Sequence, residues 1–244
     1  MPKLNNITSI EATLEVVTGL RIGAGDSEIH IGGVDNSVIK HPITGSPYIP
    51  GSSLKGKMRS LLEWRSGAVR ETPLGTKDFE RAADVQKPEI RRILQLFGIG
   101  GGDAKDVEYL VSELGPTRLA FWDCPLEEDW EREVRDNNQL LIEVKSENLI
   151  NRISGVAEHP RNTERVPAGA KFVFRLYLKE FDSDGEDLLE TVLQGLKLIE
   201  HDSLGGSGSR GYGKVKFVDL KINGKDETER FQKVEAFPAN ASAA

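Results

Sequence analysis

Alternating hydrophobic and polar residues predict β-strands near both ends of the chain. The first alternation buries every second residue, at Ile10, Ala12, Leu14 and Val16. Further strands are predicted over residues 118–123, 172–178 and 215–222. In the last strand the hydrophobic positions change phase between Phe217 and Leu220, which indicates a β-bulge near Val218.

Hydrophobic residues at helical spacing predict two amphipathic helices. The first spans about residues 53–64, with a stripe at Leu54, Met58, Leu61 and Leu62. Either Ser52 or Ser53 would provide its N-cap. The second helix spans about residues 186–199 and carries its stripe at Leu188, Leu189, Val192, Leu193, Leu196 and Ile199.

The order strand, helix, strand, strand, helix, strand predicts an α+β protein with a ferredoxin-like (RRM-like) core. The core elements occupy about residues 8–66, 118–124 and 170–223. Between them lie two insertions, a lid or helical element over about 67–117 and a thumb over about 125–169. We therefore expect one elaborated domain over residues 1–237 and a flexible tail over 238–244.

The charge distribution argues against indiscriminate nucleic-acid binding but permits a local basic groove. The formal net charge is −7, and acidic residues concentrate within 127–136 and 182–190. Basic residues concentrate elsewhere, at Lys55, Lys57, Arg59, Lys145, Arg152, Arg161 and Arg165. A basic groove on an acidic protein would restrict nucleic-acid binding to one surface.

The sequence offers no targeting segment, membrane span or metal-ligand spacing. Its N-terminus lacks a charged region followed by an apolar run, which predicts a cytoplasmic protein that does not associate with membranes. Cys124 is the single cysteine and excludes an internal disulfide. The four histidines are not spaced as zinc ligands.

A glycine-rich connection of about thirty residues joins the first strand to the first helix, a length that indicates function or disorder. Asp35 follows Gly32 and Gly33 closely, where the backbone turns freely. A short carboxylate in this position can bind a metal or approach a nucleophile. It can equally be a turn residue that bonds its own backbone, and both interpretations stay open.

The first helix has the wrong charge for its N-terminal turn. Lys55 and Lys57 stand near the positive end of the helix dipole, and Arg59 follows. A phosphate bound at the helix N-terminus would remove this conflict. The alternative is that these side chains are solvated bases on a surface helix.

A second glycine-rich segment, 204–213, lies between the second helix and the last strand. It nearly matches a nucleotide phosphate loop, but Val215 replaces the required hydroxyl and the loop follows a helix instead of a strand. Its backbone amides could line a phosphate chain, with Arg210 as a charged contact and Tyr212 as a stacking surface. A flexible connection is the alternative.

Several segments, taken in order, resemble the RAMP superfamily of CRISPR RNA-binding proteins, and within it the backbone subunit of type III-A (Csm) effector complexes. The similar segments are TGLRIGAG from Thr18, GVDN from Gly33, PYIPGSSLKGKMR from Pro47, LFG from Leu96, NRISGVAEHPRNTERVPAGAKF from Asn151 and LGGSGSRGYG from Leu204. Together they cover most of the chain.

The resemblance implies an RNA-binding endonuclease that assembles along a CRISPR RNA. Its implied partners are CRISPR RNA, single-stranded target RNA, further copies of itself and other Csm subunits. Asp35 matches the catalytic aspartate, and Arg21 stands where family members often have histidine. The segment from Arg152 to Arg165 matches a thumb that separates guide and target. The complete set of expected RNA-binding residues is Arg21, Lys55, Lys57, Arg59, Arg152, Arg161, Arg165, Gly205, Gly206, Gly208, Arg210, Gly211, Tyr212 and Gly213.

RNA carries its own nucleophile in the 2′-hydroxyl, so the enzyme must align the backbone and stabilise charge on the phosphate. A single carboxylate that positions Mg²⁺ or another divalent cation is sufficient in principle, and Asp35 is the expected metal ligand. Two alternatives remain. The chain could be a non-catalytic RNA-binding scaffold, or a guide-processing nuclease, which would need a general-base histidine such as His30.

Overall fold

A computed structural model describes residues 2–25, 36–99, 112–184 and 188–237. The strands are β1 (Leu4–Val16), β2 (Tyr48–Ile49), β3 (Leu119–Phe121), β4 (Cys124–Pro125), β5 (Glu143–Ile150), β6 (Ala157–Arg165), β7 (Lys171–Phe181), β8 (Val215–Ile222) and β9 (Lys225–Asp226). The helices are α1 (Gly51–Arg65), α2 (Thr76–Arg81), α3 (Lys87–Phe97), α4 (Glu128–Asp136), α5 (Leu188–His201) and α6 (Thr228–Gln232). The protein is thus a mixed α/β structure.

The main sheet is antiparallel and has the strand order β3-β7-β1-β8-β9. Strand β1 pairs with β7 from Leu4 to Glu15 and with β8 from Ile10 to Val16, so it lies in the centre of the sheet. The strands expected from the alternating pattern are confirmed. Their hydrophobic positions share one buried face, formed by Ile10, Leu14, Val16, Phe172, Phe174, Leu176, Leu178, Val215 and Phe217.

The predicted bulge in the last strand is confirmed. The pairing of β1 with β8 shifts by one residue between Glu11, which faces Lys221, and Thr13, which faces Val218. Asp219 has a φ of 54°, a left-handed conformation that Asp tolerates better than most residues. The extra residue allows Phe217 and Leu220 to face the core together.

Helices α1 and α5 pack together over the buried face of the sheet. The closest approach involves Met58 and Gly195, where a Cβ on residue 195 would lie 2.7 Å from the Met58 Cε. A larger residue at 195 would push the two helices apart. The hydrophobic stripes predicted for both helices therefore form the core.

The N-terminus of α1 differs from the sequence prediction. The helix begins at Gly51 after Pro50, and no side chain of Ser52 or Ser53 caps it. Instead, the Gly51 N–H donates to Asp123 Oδ1 at 2.7 Å. The cap comes from the connection between β3 and β4, 72 residues away in sequence, so a local pattern could not identify it.

The first insertion carries α2 and α3 around a small hydrophobic cluster of Ala68, Leu74, Ile90, Leu94 and Leu114. Arg118 and Asp184 join its end to the core. Their side chains are 0% and 7% exposed, and Arg118 Nη2 lies 2.5 Å from Asp184 Oδ1. Arg118 also donates to the Pro116 carbonyl oxygen, and Asp184 accepts the Phe181 N–H at 2.9 Å. This buried pair holds the chain before β3 against the chain that leaves β7.

The second insertion carries α4 and the two-stranded hairpin β5–β6. Most hairpin side chains are exposed, and Ile153 at its turn is 99% exposed. The hairpin therefore stands apart from the core except at its root, the end where Glu143 pairs with Arg165. Within the described parts of the chain, no helix is long and apolar enough to cross a membrane.

The buried Arg118–Asp184 pair generates a stability prediction. Asp184→Ala leaves a buried guanidinium without its carboxylate, and we expect the free energy of unfolding to fall by about 3–5 kcal/mol. Urea denaturation measures the change. The matched control is Asp129→Ala, which removes an exposed partner of Arg132 and should change stability by less than about 1 kcal/mol. Equal effects of the two substitutions would contradict the structural role of Asp184.

Candidate nucleic-acid interface

The glycine-rich segment 204–213 is a docked loop, because backbone hydrogen bonds hold it on both sides. The Leu204 N–H donates to the Gly213 carbonyl at 2.8 Å and closes the loop. The N–H groups of Gly206 and Gly213 donate to the carbonyls of Arg21 at 2.9 Å and Gly19 at 3.0 Å, respectively. A 3₁₀ turn over Gly208–Arg210 forms its tip. The loop thus lies against the chain that leaves β1.

Two glycines in this loop permit the close backbone contacts. Gly205 has a φ of 76°, and a Cβ there would lie 2.2 Å from the Arg21 carbonyl oxygen. Gly213 has a φ of 73°, and its Cβ would lie 2.0 Å from the Leu204 carbonyl oxygen. Side chains at either position would both strain the backbone and push the loop away.

The expectation that loop amides are free to line a phosphate chain is wrong for five of them. The amides of Leu204, Gly206, Arg210, Gly211 and Gly213 donate to backbone carbonyls within the fold. Their hydrogen bonds hold the loop in place. The contribution of these residues is therefore the shape of the loop, and contact with a ligand falls to the exposed side chains.

Tyr212 is not the open stacking surface that the sequence predicted. The residue is 1% exposed, and its hydroxyl donates to Glu147 Oε1 at 2.7 Å. The Lys145 Nζ and Arg165 Cζ atoms lie 4.5 and 5.1 Å from its ring centroid. These cations cover the ring, so no base can stack there while the hairpin root is in place.

Glu147 connects the loop to the hairpin electrostatically. Its second carboxylate oxygen, Oε2, accepts a hydrogen bond from Arg210 Nη1 at 2.8 Å. The Tyr212 hydroxyl, together with the charges of Arg210 and Lys145, lowers the pKa of Glu147. Burial, reinforced by Glu147, raises the pKa of Tyr212. At neutral pH the carboxylate is therefore ionised and accepts the hydrogen bond from a neutral phenol.

An open groove of about 440 Å³ lies between the loop and the hairpin. It is lined by Lys145, Glu147, Asn148, Leu149, His159, Arg161 and Arg210. Two of the predicted RNA-binding residues, Arg161 and Arg210, meet here from distant parts of the sequence. The basic side chains give this groove the charge that suits a phosphate backbone.

Arg21 links the loop to the segment that follows Asp35. Its Nη2 donates to Asn36 Oδ1 at 2.8 Å, while its buried Nε has no partner among the described residues. The Asn36 carbonyl oxygen accepts the N–H of Glu164 in β6 at 3.0 Å. Asp35 itself lies outside the described residues. Asn36, the next residue, is fixed between Arg21 and the hairpin root.

The Glu164 carboxylate strengthens this junction. Its Oε2 accepts the Val38 N–H at 3.0 Å and lies 3.0 Å from Lys40 Nζ. The segment after Asp35 is therefore attached to β6 by both backbone and side-chain contacts. Among the described residues, no group of three or more His, Cys, Asp or Glu side chains is arranged to hold a metal ion.

The three bases predicted on α1 have different environments. Asp123 at the helix N-terminus supplies the negative charge that the sequence lacked. Lys57 Nζ lies 2.7 Å from Asp202 Oδ2, close to the start of the glycine-rich loop. Lys55 is half-buried and forms no ion pair with another described residue.

The contacts of Arg59 do not support its predicted role in RNA binding. Its guanidinium donates to Glu63 Oε1 at 2.8 Å and to the carbonyl oxygens of Leu74 and Gly98 at 2.6 and 3.2 Å. The side chain is 14% exposed and joins α1 to the first insertion. Because its N–H groups donate to other groups of the protein, we assign Arg59 a structural role and not a place in the interface.

Two arginines of the predicted thumb, Arg152 and Arg165, lie at opposite ends of the hairpin. Arg152 is exposed in the turn at the end of the hairpin, far along the chain from its root. Arg165 lies at the root, where its Nε is 2.6 Å from Glu143 Oε1. Sequence reasoning counted Lys145 among the bases of an expected groove but did not select Glu147 or His159 for the site. The alternation of Glu143, Lys145 and Glu147 at every second position could have indicated one strand face.

The Tyr212–Glu147 hydrogen bond generates a pH prediction. The pKa of Glu147 is lower in the folded protein than in the unfolded chain. Its ionised carboxylate therefore stabilises the docked loop at pH values above the unfolded-state pKa, and this stabilisation is lost as pH falls through the folded-state pKa. We expect the loop to loosen as pH falls through the lowered pKa of Glu147, and Tyr212→Phe to move that pKa upward. Side-chain carbon NMR titration measures the pKa.

Tyr48→Phe, on the separate β2–β4 pair, is the control for this titration. It should leave the pKa of Glu147 where it is in the unsubstituted protein. If Tyr212→Phe also leaves that pKa unchanged, the hydroxyl does not hold the carboxylate.

Comparisons with known proteins identify a family profile and relatives that match this chain. Residues 13–216 match the profile of the RAMP superfamily. The CRISPR system Cms endoribonuclease Csm3 of Methanothermobacter thermautotrophicus is 41% identical over 222 residues, covering 84% of this chain and 81% of the relative. The protein of the same name from Mycobacterium tuberculosis is 41% identical over 226 residues, covering 87% and 86%.

A solved structure is similar in three dimensions. A chain of the Csm3–Csm4 subcomplex of the type III-A CRISPR-Cas interference complex superposes with a TM-score of 0.52 at 28% identity. The match covers 90% of this chain and 80% of the other. The fold of this chain is therefore similar to that of the other over most of its length.

Proposed function

The chain belongs to the RAMP superfamily, and from this premise we propose that it is an RNA-binding backbone subunit of a type III-A CRISPR effector complex that cleaves guide-paired target RNA. Two relatives at 41% identity carry the name Csm3 endoribonuclease, which supports both parts of the proposal. The implied partners are CRISPR RNA, single-stranded target RNA, further copies of this chain and other Csm subunits. A cytoplasmic location remains a prediction.

We also propose that the core is ferredoxin-like. The elements β1, α1, β3, β7, α5 and β8 follow one another in the strand and helix order of that fold. All four strands belong to one antiparallel sheet, in the order β3-β7-β1-β8. On this assignment residues 1–237 form a single domain, with insertions over 67–117 and 125–169.

One observation carries the functional proposal. The Arg21 side chain and β6 both bond Asn36, the residue directly after Asp35, and the glycine-rich loop bonds the Arg21 backbone. A phosphate backbone lying in the groove of Lys145, Arg161 and Arg210 would therefore be held by the same elements that fix the end of the Asp35 segment. Alignment of a substrate relative to one carboxylate is what cleavage by the 2′-hydroxyl requires.

Asp35 is proposed as the catalytic residue and as the ligand of a divalent cation. Mg²⁺ commonly binds proteins through one or two carboxylates, with water and phosphate completing its ligands, so the lack of an acidic cluster in the described chain is compatible with such a site. When bound, the ion would stabilise negative charge on the phosphate. The protein's own task is to hold the RNA backbone in line.

The first functional prediction concerns RNA binding. Lys55→Ala combined with Arg210→Ala removes two basic groups, so affinity for single-stranded RNA should fall and its salt dependence should flatten. Each lost phosphate contact reduces the slope of log K against log salt by about 0.7. The control pair is Arg132→Ala with Lys225→Ala, two exposed bases in other elements. An unchanged affinity and slope in the Lys55/Arg210 variant would remove these residues from the interface.

The second functional prediction concerns cleavage. Asp35→Ala should leave guide binding and assembly intact, because the groove residues are unchanged, while cutting of complementary RNA falls by about 10²-fold or more. Excess Mg²⁺ should not restore it. The assay follows labelled target RNA on the assembled complex, with Asp129→Ala as an exposed-carboxylate control. Cutting at the normal rate and positions would identify the chain as a non-catalytic scaffold.

A further inference from the structure

The main sheet has a second face that is not part of the core. Its residues alternate with the buried positions of β1, β7 and β8, and all are exposed or half-buried. We define this open face by Ile7, Ser9, Glu11, Thr13, Glu15, Lys171, Val173, Arg175, Tyr177, Lys179, Lys216, Val218 and Lys221. Neither the glycine-rich loop nor the hairpin contributes a residue to it. The open face is therefore a surface distinct from the groove.

The strand register gives the open face a basic character. Glu11 stands opposite Arg175 on one side and Lys221 on the other. Glu15 stands in the same way between Lys171 and Lys216. Lys179 adds a fifth base, and Asp226 of β9 stands opposite Lys221 as a third carboxylate. Bases therefore exceed carboxylates by two on this face, although the whole chain has a net charge of −7. Three carboxylates cannot neutralise all five bases.

Aromatic side chains extend the open face at the β3 edge. Trp122 directly follows β3 and is 57% exposed. Its backbone N–H donates to the Arg175 carbonyl at 3.3 Å, so the two residues are cross-strand neighbours. Its ring meets the Tyr177 ring edge-on, with centroids 6.1 Å apart. An exposed indole at the edge of a basic sheet face is a suitable surface for stacking an unpaired base.

We propose that the open face is a second RNA-binding surface, which takes a single-stranded segment with its phosphates along the bases and one nucleobase on Trp122. The proposal rests on the proposed function, which brings RNA to the protein. Charge alone would also suit an acidic protein partner. The exposed indole at the edge of the basic face favours single-stranded RNA, because such strands are bound by stacking on an aromatic ring together with phosphate contacts.

The first test removes the charge of the open face. Lys171→Gln, Arg175→Gln, Lys216→Gln and Lys221→Gln are combined in one variant. The control combines Arg70→Gln, Arg132→Gln, Lys225→Gln and Lys233→Gln, which are exposed bases outside this face, so both variants lose the same charge. Binding of a labelled oligouridine RNA is measured at several salt concentrations. Circular dichroism checks that both variants fold.

The open-face variant should bind the RNA about tenfold more weakly and with a flatter salt dependence, while the control should change less than about threefold. Equal affinities for the two variants would overturn the proposal. The outcome is independent of the Lys55/Arg210 variant, which tests Lys55 on α1 and Arg210 in the groove. A weakened groove variant together with an unaffected open-face variant would leave the proposed function standing and remove only this inference.

The second test examines the stacking contact. Trp122→Ala should weaken binding of an oligoadenosine RNA about tenfold, and Trp122→Phe should restore most of it. Neither change should alter binding of an abasic oligomer, which keeps the phosphates but has no bases. Equal losses for base-bearing and abasic oligomers would overturn the stacking role. If the open-face variant keeps RNA affinity but loses binding to polyglutamate, the surface is for an acidic protein and the RNA proposal is wrong.

Discussion

The short segment 19–22 after β1 carries the backbone contacts on which the rest of the interface depends. Leu20 exchanges two hydrogen bonds with Val166, at 2.8 and 2.9 Å, and so holds the hairpin root. The carbonyls of Gly19 and Arg21 accept from the glycine-rich loop, and the Ile22 carbonyl accepts the Ile39 N–H at 2.9 Å. Three distant parts of the chain are thus attached to four consecutive residues.

The same segment leaves little room for side chains. A Cβ on residue 19 would lie 2.5 Å from the Arg165 side chain, which crosses this glycine on its way to Glu143. Because loop, hairpin and segment 36–39 all meet here, a change at one contact displaces the others. This is the physical reason why glycines occur on both partners of the contact.

Electrostatics then decide which side chains remain available to a ligand. Glu147 accepts hydrogen bonds from the Tyr212 hydroxyl and from one nitrogen of Arg210, while the cations of Lys145 and Arg165 cover the phenol ring. Asp123 likewise accepts a hydrogen bond at the N-terminus of α1, and Asp202 forms an ion pair with Lys57. Acidic residues therefore orient the bases around the groove as well as reducing the net charge. An acidic protein can in this way present a locally basic, ordered surface.

The sequence by itself determined the strands, the two core helices, the bulge near Val218 and the importance of the glycine-rich loop. These follow from periodicity and backbone freedom, which are local properties of the chain. Family resemblance added the candidate roles of Asp35 and of the thumb. Only the tertiary structure decided that Tyr212 is covered, that Arg59 is structural, that Asp123 caps α1 and that Lys145 and His159 line the groove. Each of these depends on a partner more than 10 residues away, and no local pattern specifies which distant side chain will satisfy a given donor.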